Sequence, residues 1–263
     1  MYKNIYRTKQ EQLILDAISS ADIITVDEIF NLFPDIDRKK IDRICHNLAR
    51  KGYLYRLKRG MYLVQDQPRG APIIKDPYKI ALNLFSGYAG FSSALRIYNL
   101  IDYEPFTIFI VTYNKSKEKT LGQYLFKAVA MGDRATGMTN YRDVYISTIA
   151  KTFFDCFYRP QYAGGYSTIT RALYEAKALD WPEFTGYFRL ASDAMCQRTG
   201  YILDMLNNDT RIVPARTLNY FISRIKNKTL LLPTDKGKAT YDKKWMIMDN
   251  LGKDNIMSWW QHG

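Results

Sequence analysis

The side chains best suited to chemistry in this sequence are cations, and they are concentrated in one short segment. Between Ile36 and Gly60 there are nine lysine and arginine residues against two acidic residues, Asp37 and Asp42. Such a density of ammonium and guanidinium groups favours contacts with phosphate oxygens, and both arginine and lysine also pair with the guanine edge. A run of charge is equally typical of a solvated helix face, so the elements that carry the cations must decide between the two interpretations.

Hydrophobic periodicity sorts these side chains onto two faces of one helix. Ile41, Ile44 and Leu48 follow the spacing i, i+3 and i+7, which predicts an inward face. On the outward face, arginine and lysine suit guanine and Asn47 suits adenine, while the cations of the hairpin that follows are placed for backbone phosphates. Arg50 shares the outward face. The predicted DNA-binding residues are Arg38, Lys39, Lys40, Arg43, His46, Asn47, Arg56, Lys58 and Arg59.

The elements around these cations predict a winged helix-turn-helix, in which the third helix enters the major groove and the hairpin lies along the phosphates. Thr25-Val26-Asp27-Glu28 has capping-box spacing, Gly52 ends the third helix, and Lys58-Arg59-Gly60 forms a tight turn. We assign residues 1–68 to this DNA-binding domain and the Pro- and Gly-rich stretch 65–77 to a linker. Helices are predicted at 8–20, 25–32 and from 35–37 to 50, and strands at 53–57 and 61–64.

Residues 77–263 are predicted to form one larger domain of mixed α and β structure. The predicted fold class is therefore α+β, with an N-terminal winged helix-turn-helix and a larger C-terminal mixed α/β domain. The predicted helices of this domain cover 78–84, 92–98, a segment capped by Ser147, 167–178, 181–190, 193–206 and 214–225. The predicted strands cover 107–113, its partner 124–130, and 144–146, 230–232 and 245–248.

Enzyme chemistry finds little support in the residue types. The two histidines, His46 and His262, leave few candidates for acid–base or metal chemistry. Glu175-Ala176-Lys177 resembles the Glu-x-Lys of restriction-type nucleases, but it falls in a helical pattern where those enzymes need a strand. The three cysteines are too far apart for a zinc cluster, and Cys156, among phenylalanines, is predicted to fill space in a core. We predict a protein that is not an enzyme and has no metal or cofactor.

Bulk composition bounds the class of protein and its partners. The chain has 263 residues, of which 47% are hydrophobic and 24% charged, and its net charge is +12. A basic surface attracts nucleic acid or an anionic membrane. No apolar run approaches the roughly 20 residues that span a bilayer, and the first residues lead into no apolar signal segment. The sequence therefore predicts a cytoplasmic protein that faces nucleic acid and no membrane.

A second basic region lies nearer the C-terminus. Residues 1–70 carry a net charge of +4, which leaves +8 on the remainder. Such a region is compatible with added DNA contacts, with another nucleic acid, with an acidic partner, or with an ordinary lysine-rich surface, so its role stays open. Its cations are Arg211, Arg216, Arg224, Lys226, Lys228, Lys236, Lys238, Lys243 and Lys244.

Several motifs in order resemble the AbiEi family of type IV antitoxins over nearly the whole chain. The hairpin 52–62, Gly-Tyr-Leu-Tyr-Arg-Leu-Lys-Arg-Gly-Met-Tyr, is similar to the family's strand–basic turn–strand signature. The stretch 90–100, with Gly-Phe-Ser-Ser-Ala-Leu and then Tyr-Asn-Leu, resembles its Gly-x-Ser-Ala-Leu helix and the His-Gly-Leu that follows. The strand 108–112 comes next, and Ala150–Asp155 followed by Arg159-Pro160 resembles its Arg-Thr-Leu-x-Asp helix. Asn99 and Lys151 depart from this pattern, which usually has Gly and Arg there.

This resemblance implies a two-domain regulator. Its N-terminal winged helix is implied to repress the operon by binding inverted repeats, through Arg38, Lys39, Lys40, Arg43, Lys58 and Arg59. Its C-terminal domain, 77–263, is implied to act as an antitoxin against a nucleotidyltransferase-like toxin, often without a stable complex, in systems associated with phage defence. No antitoxic residue follows from the resemblance, because the matched motifs of this domain look structural.

Two alternatives remain beside the antitoxin hypothesis. The second domain of a winged-helix regulator can also sense a small ligand, and a basic surface can guide nucleic acid through a processing enzyme. An adjacent reading frame for a nucleotidyltransferase-like protein favours the antitoxin, and an isolated gene favours the ligand sensor. Metal-dependent cleavage of DNA or RNA favours the enzyme.

Overall fold

The computed structural model of the chain describes residues 6–68, 70–177, 179–234 and 237–261. Two units can be separated by their internal contacts. Unit 1 contains residues 1–84 and 119–125, and unit 2 contains residues 85–118 and 126–263. Both units combine helices with strands, so the α+β class predicted from the sequence is confirmed.

Unit 1 has the predicted three helices followed by a hairpin, and the structure adds one strand before the second helix. This order is that of a winged helix-turn-helix, with the hairpin β2–β3 as the wing. The elements are α1 (Lys9–Ile18), β1 (Ile23–Thr25), α2 (Val26–Leu32), α3 (Arg38–Lys51), β2 (Leu54–Lys58), β3 (Met61–Val64) and α4 (Pro77–Leu84).

Local side-chain bonds fix where these helices begin and end. Thr8 and Thr25 each form a capping box with the glutamate three residues later, which satisfies free amides at the starts of α1 and α2. The Asp37 carboxylate accepts a hydrogen bond from the Lys40 amide at 3.3 Å and caps α3. Gly52, with φ at 85°, ends α3 in a left-handed conformation that glycine adopts without steric cost. The predicted capping box and stop signal are confirmed.

The three strands of unit 1 form an antiparallel sheet in the order β1-β3-β2. Met61 of β3 is paired with Thr25 on one side and with Lys58 on the other. The Val26 amide, the first of α2, donates to the Gly60 carbonyl at 2.9 Å. This bond ties the turn of the wing to the start of the helix-turn-helix.

The apolar faces of the three helices meet the sheet in one core. Ile41 and Leu48 of α3 are 0% exposed and Ile44 is 6% exposed, so the inward face predicted from the periodicity is confirmed. They pack with Ile14 of α1 and Ile29 of α2, both 0% exposed. Burial of each such side chain stabilises the fold by about 1.5–3 kcal/mol.

A mixed sheet of six strands organises the first half of unit 2, in the order β6-β7-β5-β4-β9-β8. The predicted partnership of strands 107–113 and 124–130 is confirmed, since β5 and β7 are neighbours. The polar strands β6 and β8 were not predicted. The elements here are β4 (Tyr88–Ala89), α5 (Phe91–Ile97), β5 (Thr107–Thr112), β6 (Lys117–Leu121), β7 (Tyr124–Ala130), β8 (Met138–Tyr141) and β9 (Val144–Ser147). Residues 119–125, which include the end of β6 and the start of β7, are assigned to unit 1.

Helices dominate the second half of unit 2 and pack their aromatic side chains together. Phe154 and Phe184 both stack edge-on against Phe188, with ring centroids 5.1 Å and 5.0 Å away. Short 3₁₀ turns follow two of the helices. The elements are α6 (Ile149–Tyr158), α7 (Gly165–Glu175), α8 (Trp181–Tyr187), α9 (Asp193–Thr210), α10 (Ala215–Ile222), β10 (Thr229–Leu230), β11 (Thr240–Asp242), β12 (Ile247–Asp249), α11 (Lys253–Ile256) and α12 (Ser258–Gln261).

Several predicted boundaries in unit 2 need correction. Thr148, not Ser147, caps α6, because its hydroxyl accepts from the Lys151 amide. The α7 helix ends at Glu175, short of the predicted end at Ala178, which lies outside the described residues. Trp245 is 1% exposed and belongs to the core of unit 2. Its ring lies so close to α9 that a Cβ on Gly200 would be 2.2 Å from Trp245 Cζ3, so this contact requires glycine.

Candidate nucleic-acid interface

The outer face of α3 carries the cations that the sequence assigns to DNA contact. Arg38, Lys39, Lys40 and Arg43 are exposed. The two uncharged donors are placed further along the same helix. His46 is exposed, and Asn47 is half-buried. The helix therefore presents all six predicted positions to solvent to some degree, while its isoleucines face the core of unit 1.

The helical period aligns four of these side chains. Successive residues are rotated by about 100°, so Lys39, Arg43, His46 and Arg50 fall within roughly 60° of one another along about 17 Å of helix. We call these four residues the α3 stripe. Lys40 and Asn47 flank it on one side. A helix fits into the major groove of DNA, which is about 12 Å wide, so the length and position of the α3 stripe are compatible with such a groove.

Carboxylates compete for few of the cations on this face. Among the residues that the structure describes, no carboxylate oxygen lies within 4.0 Å of Lys39, Lys40 or Arg43. Arg38, beside the α3 stripe, is engaged: its Nη2 atom is 2.5 Å from Asp27 Oδ1, with both side chains more than half exposed. An exposed pair of this kind contributes about 0–1 kcal/mol, so a phosphate can replace the Asp27 carboxylate at little cost.

Lys51 stabilises the fold of unit 1 and does not contribute to the exposed positive surface. Its Nζ atom donates to Glu11 Oε2 at 2.7 Å and to the Tyr6 carbonyl at 2.6 Å, and its side chain is 15% exposed. Burial by itself raises the pKa of the Glu11 carboxyl, but the bonds from Lys51 and Thr8 outweigh burial and hold that pKa below its usual range. One of the nine cations counted between Ile36 and Gly60 therefore joins α1 to α3.

The wing exposes its cations through an irregularity in β2. The register shifts between Arg56, opposite Tyr62, and Lys58, opposite Met61. As a result Arg56 and Lys58 are both exposed while Leu57 between them is buried, as expected of a β-bulge. The Lys58 ammonium donates to the Asn83 carbonyl at 2.6 Å, whereas Arg59 is exposed in the turn.

Sequence reasoning missed one cation that supports the wing. Lys119 belongs to unit 1, and its Nζ atom donates to the backbone carbonyls of Arg56, at 3.0 Å, and of Leu57. Burial, together with the charge of Arg56, lowers the pKa of Lys119. No local signal marks this lysine, because it stands among other exposed lysines more than sixty positions along the chain from its acceptors.

The second basic region of the sequence is partly neutralised within unit 2. Arg224 and Lys226 both lie 2.7 Å from Asp193, and Lys244 lies 2.6 Å from Asp204. Lys236 lies outside the described residues. These pairs favour an ordinary lysine-rich surface as the explanation for part of the region.

The motif Ala150–Asp155 forms part of the core and is not a surface site. Lys151 and Asp155 make an ion pair with both side chains 0% exposed, and the ammonium lies 5.1 Å from the centre of the Phe154 ring. Asp155 Oδ2 has no hydrogen-bond partner among the described residues. Asn99, the other departure from the family pattern, has φ at 57°, a conformation that asparagine tolerates almost as well as glycine.

The structure gives no support to the sequence motifs that were considered for catalysis or metal binding. Glu175 is the last residue of α7 and Lys177 follows the helix, so the Glu-x-Lys tripeptide has no strand to hold a metal. In the described part of the chain no three His, Cys, Asp or Glu residues are grouped to bind a metal ion. Cys156 is buried, as predicted. None of the described helices has the length and apolar character needed to cross a bilayer.

Comparison with known proteins supports the regulator interpretation for unit 1. Residues 12–65, which run from α1 through the wing, match the model of a family described as transcriptional regulator, AbiEi antitoxin. The AbiEi resemblance is confirmed for this segment. The α3 stripe and the wing both belong to this AbiEi-type segment, so the exposed cations lie in the part of the chain that resembles known regulators.

A solved structure extends the comparison to the rest of the chain. The RV2827C protein from Mycobacterium tuberculosis matches with a TM-score of 0.71 and 14% sequence identity, over 97% of this chain and 96% of that one. At this identity the likeness concerns the fold alone. No curated protein matches the chain. Beyond the AbiEi-type segment, function has to be argued from the side chains.

Proposed function

We propose that this chain is a DNA-binding transcription regulator that represses its own operon and also acts as the antitoxin to a nucleotidyltransferase-like toxin. The observation that carries the proposal is the α3 stripe, exposed beside a basic wing in the segment that matches the AbiEi regulators. Residues 1–68 supply the DNA contacts and residues 77–263 the antitoxic activity. Each chain has one winged helix, so an operator with inverted repeats takes two copies.

Each predicted residue has a role in this proposal. Lys39, Lys40 and Arg43 lie in the first half of α3, the part of such a helix that contacts base edges. The two lysines at the start of the helix also contact the phosphates that border the groove, and Asn47 is placed to bind adenine. Arg38 lies beside the α3 stripe and contacts the phosphate backbone, and His46 lies within the stripe between Arg43 and Arg50. On the wing, Arg56, Lys58 and Arg59 bind phosphates.

Removal of paired cations from the helix or the wing tests the DNA-binding surface. We expect Lys39→Ala with Lys40→Ala, and separately Lys58→Ala with Arg59→Ala, to weaken binding to the gene's own promoter. Each lost phosphate contact reduces the slope of log K against log salt by about 0.9, so each pair reduces it by up to about 1.8. Fluorescence anisotropy with promoter DNA over a range of salt concentrations measures both quantities.

The matched control is Lys75→Ala with Lys79→Ala, which removes the same charge from unit 1. Both lysines lie within 4 Å of Asp22, at 3.7 Å and 3.8 Å, so their charge is already partly neutralised. The control is expected to bind like the wild type. If the two test pairs keep the wild-type slope, or the control loses as much affinity as they do, the DNA-facing surface has been assigned wrongly.

The antitoxic activity is tested in the full chain, with the neighbouring toxin gene expressed from a separate promoter. We expect Lys39→Ala with Lys40→Ala to abolish repression of a promoter–reporter fusion while still rescuing growth from the toxin, because the proposed antitoxic activity does not use the α3 stripe. The measurements are reporter output and colony counts in the same strain. A variant that loses repression and rescue together, at normal protein levels, argues against separate roles. Failure of the wild-type chain to rescue removes the antitoxin half of the proposal.

A further inference from the structure

A cavity of about 960 Å³ opens in unit 2, and its charged lining is entirely cationic. Three arginines line it, Arg134, Arg159 and Arg198, and no aspartate or glutamate is present among its described lining residues. Placing several cations close together costs electrostatic free energy unless an anion lies between them. A cavity of this size lies in the range of small-molecule and cofactor sites, about 300–1,000 Å³.

Two of the arginines lie against one tyrosine ring. The guanidinium carbons of Arg134 and Arg159 are 5.3 Å and 5.1 Å from the centre of the Tyr158 ring. Arg134 donates to the Leu190 carbonyl at 2.9 Å through Nη2, while its Nε is buried without a hydrogen-bond partner among the described residues. Arg159 is exposed, and no described carboxylate lies within ion-pair distance of it. Both cations therefore keep donors for a ligand.

The third arginine stands on another wall. Arg198, in α9, is half-buried, and its Nε donates to the Leu230 carbonyl at 2.8 Å. Burial lowers the pKa of its guanidinium below the usual range, but arginine remains charged. This fixed, partly desolvated cation also has no described carboxylate within ion-pair distance.

The start of α7 adds a further feature that favours an anion. Gly164 is the N-cap of this helix, which has 11 residues, and no side chain bonds to the free amides there. Gly164, Gly165, Tyr166 and Ser167 all line the cavity. Unpaired amides and the helix dipole together attract phosphate groups.

The remaining walls are apolar and aromatic. Tyr158, Leu232 and Leu251 line the same cavity and are half-buried, so they keep apolar surface that a ligand can cover. The other large apolar lining residues, Phe157, Tyr166, Met195 and Leu231, are buried in the core of unit 2. A ligand that pairs with the arginines and also covers the apolar side chains has a flat, weakly polar part joined to an anionic part. Nucleotides have this composition, with a base that stacks on aromatic rings and phosphates that pair with arginine.

We propose that this cavity binds a free nucleoside polyphosphate, with its phosphates at Arg134, Arg159 and Arg198 and its base against the half-buried apolar side chains of the lining. The proposal concerns unit 2 and does not rest on the DNA-binding function of unit 1. Arg159, being exposed, can be substituted without disturbing the core.

Equilibrium binding of ribose-labelled ATP and GTP to the full chain tests the proposal, with unlabelled ATP, AMP, adenosine and pyrophosphate as competitors. We expect ATP to compete better than AMP and AMP better than adenosine. Arg159→Ala is expected to weaken ATP binding about tenfold or more, as for other charge-assisted hydrogen bonds. Arg216→Ala, which removes another exposed arginine of unit 2 that does not line the cavity, is expected to bind like the wild type.

One further variant and four possible outcomes separate this proposal from its alternatives. Tyr158→Leu removes the ring on which two arginines rest and is expected to weaken binding as well, with circular dichroism to verify the fold. Absence of ATP and GTP binding at millimolar concentration overturns the proposal. The proposal is also overturned if pyrophosphate competes as well as ATP. It is overturned too if a short single-stranded RNA binds to the protein and free nucleotides do not. Equal losses in Arg159→Ala and Arg216→Ala show general attraction to a basic protein and also overturn it.

Discussion

Replacement of Lys151 by methionine is expected to lower the free energy of unfolding of unit 2 by about 3–5 kcal/mol. Lys151 and Asp155 are both 0% exposed, so the substitution leaves a carboxylate in the core without its cation. Asp155 Oδ2 already has no hydrogen-bond partner among the described residues, and no neighbouring donor takes the place of the ammonium. Urea unfolding followed by tryptophan fluorescence measures the loss, because all four tryptophans belong to unit 2.

The double variant Lys151→Met with Asp155→Val distinguishes a charge effect from a packing effect. Replacement of both partners by apolar side chains removes the buried charge altogether, and such replacements are often neutral or stabilising. We therefore expect the double variant to regain most of the stability that Lys151→Met loses. A double variant that loses the sum of the two single effects shows that the pair acts through packing alone.

The effect of Lys151→Met is also expected to depend on pH. Complete burial raises the pKa of Asp155 to about 6, and burial lowers the pKa of Lys151. An unfolded aspartate has a pKa of about 3.9, so between these two values the folded state holds the extra proton and stability falls as the pH rises. Loss of the Lys151 charge raises the pKa of Asp155 further and extends this range upward. The stability deficit of Lys151→Met is therefore expected to be smaller at about pH 5 than at about pH 7, in parallel urea titrations of variant and wild type.

Replacement of Arg43 by alanine is expected to weaken binding to the operator by about 1–3 kcal/mol, which is roughly 5- to 150-fold. Arg43 lies in the α3 stripe, in the first half of the helix, where a guanidinium can donate two hydrogen bonds to the guanine edge. Loss of such a contact removes only one positive charge, but it also removes the hydrogen bonds that distinguish one base from another. The ratio of affinities for operator and for scrambled DNA of equal length is therefore expected to fall.

Arg50→Ala is the matched control for this prediction. Arg50 belongs to the same α3 stripe and is exposed, but it lies two turns nearer the C-terminal end of the helix. Its loss is expected to weaken binding to operator and scrambled DNA by similar factors, as for a phosphate contact. If Arg43→Ala also weakens both DNAs equally, α3 enters the groove in another orientation.

Most of unit 1 was predictable because its signals are local. The capping box at Thr25, the isoleucine spacing of α3 and the stop at Gly52 each lie within one element. The strand β1 was missed because three residues, Ile23–Thr25, are too few to show a period, and the residues that pair with them are nearly forty positions away. The ion pair of Lys51 with Glu11 was missed for the same reason, since it joins residues forty positions apart.

Unit 2 was harder to predict because its polar elements give no periodic signal. The strand β8, Met138–Tyr141, is exposed at its first three positions, and β6 contains Lys-Glu-Lys-Thr-Leu, so neither alternates between polar and apolar residues. The burial of Lys151 and Asp155 also ran against their residue types, since isolated charges in a core are costly. The arginines of the cavity come from distant parts of the chain, and only the folded chain brings them together.

The hydrogen bond between the Val26 amide and the Gly60 carbonyl bears on how the proposed complex with DNA would form. The wing is hydrogen-bonded to the first residue of α2 at 2.9 Å. Because of this bond, the spacing between the cations of the wing and those of α3 is fixed before DNA binds. A pre-ordered clamp of this kind loses little conformational entropy on binding. The adjustment falls on the duplex, so base pairs that the protein never touches should influence affinity through how easily they bend and twist.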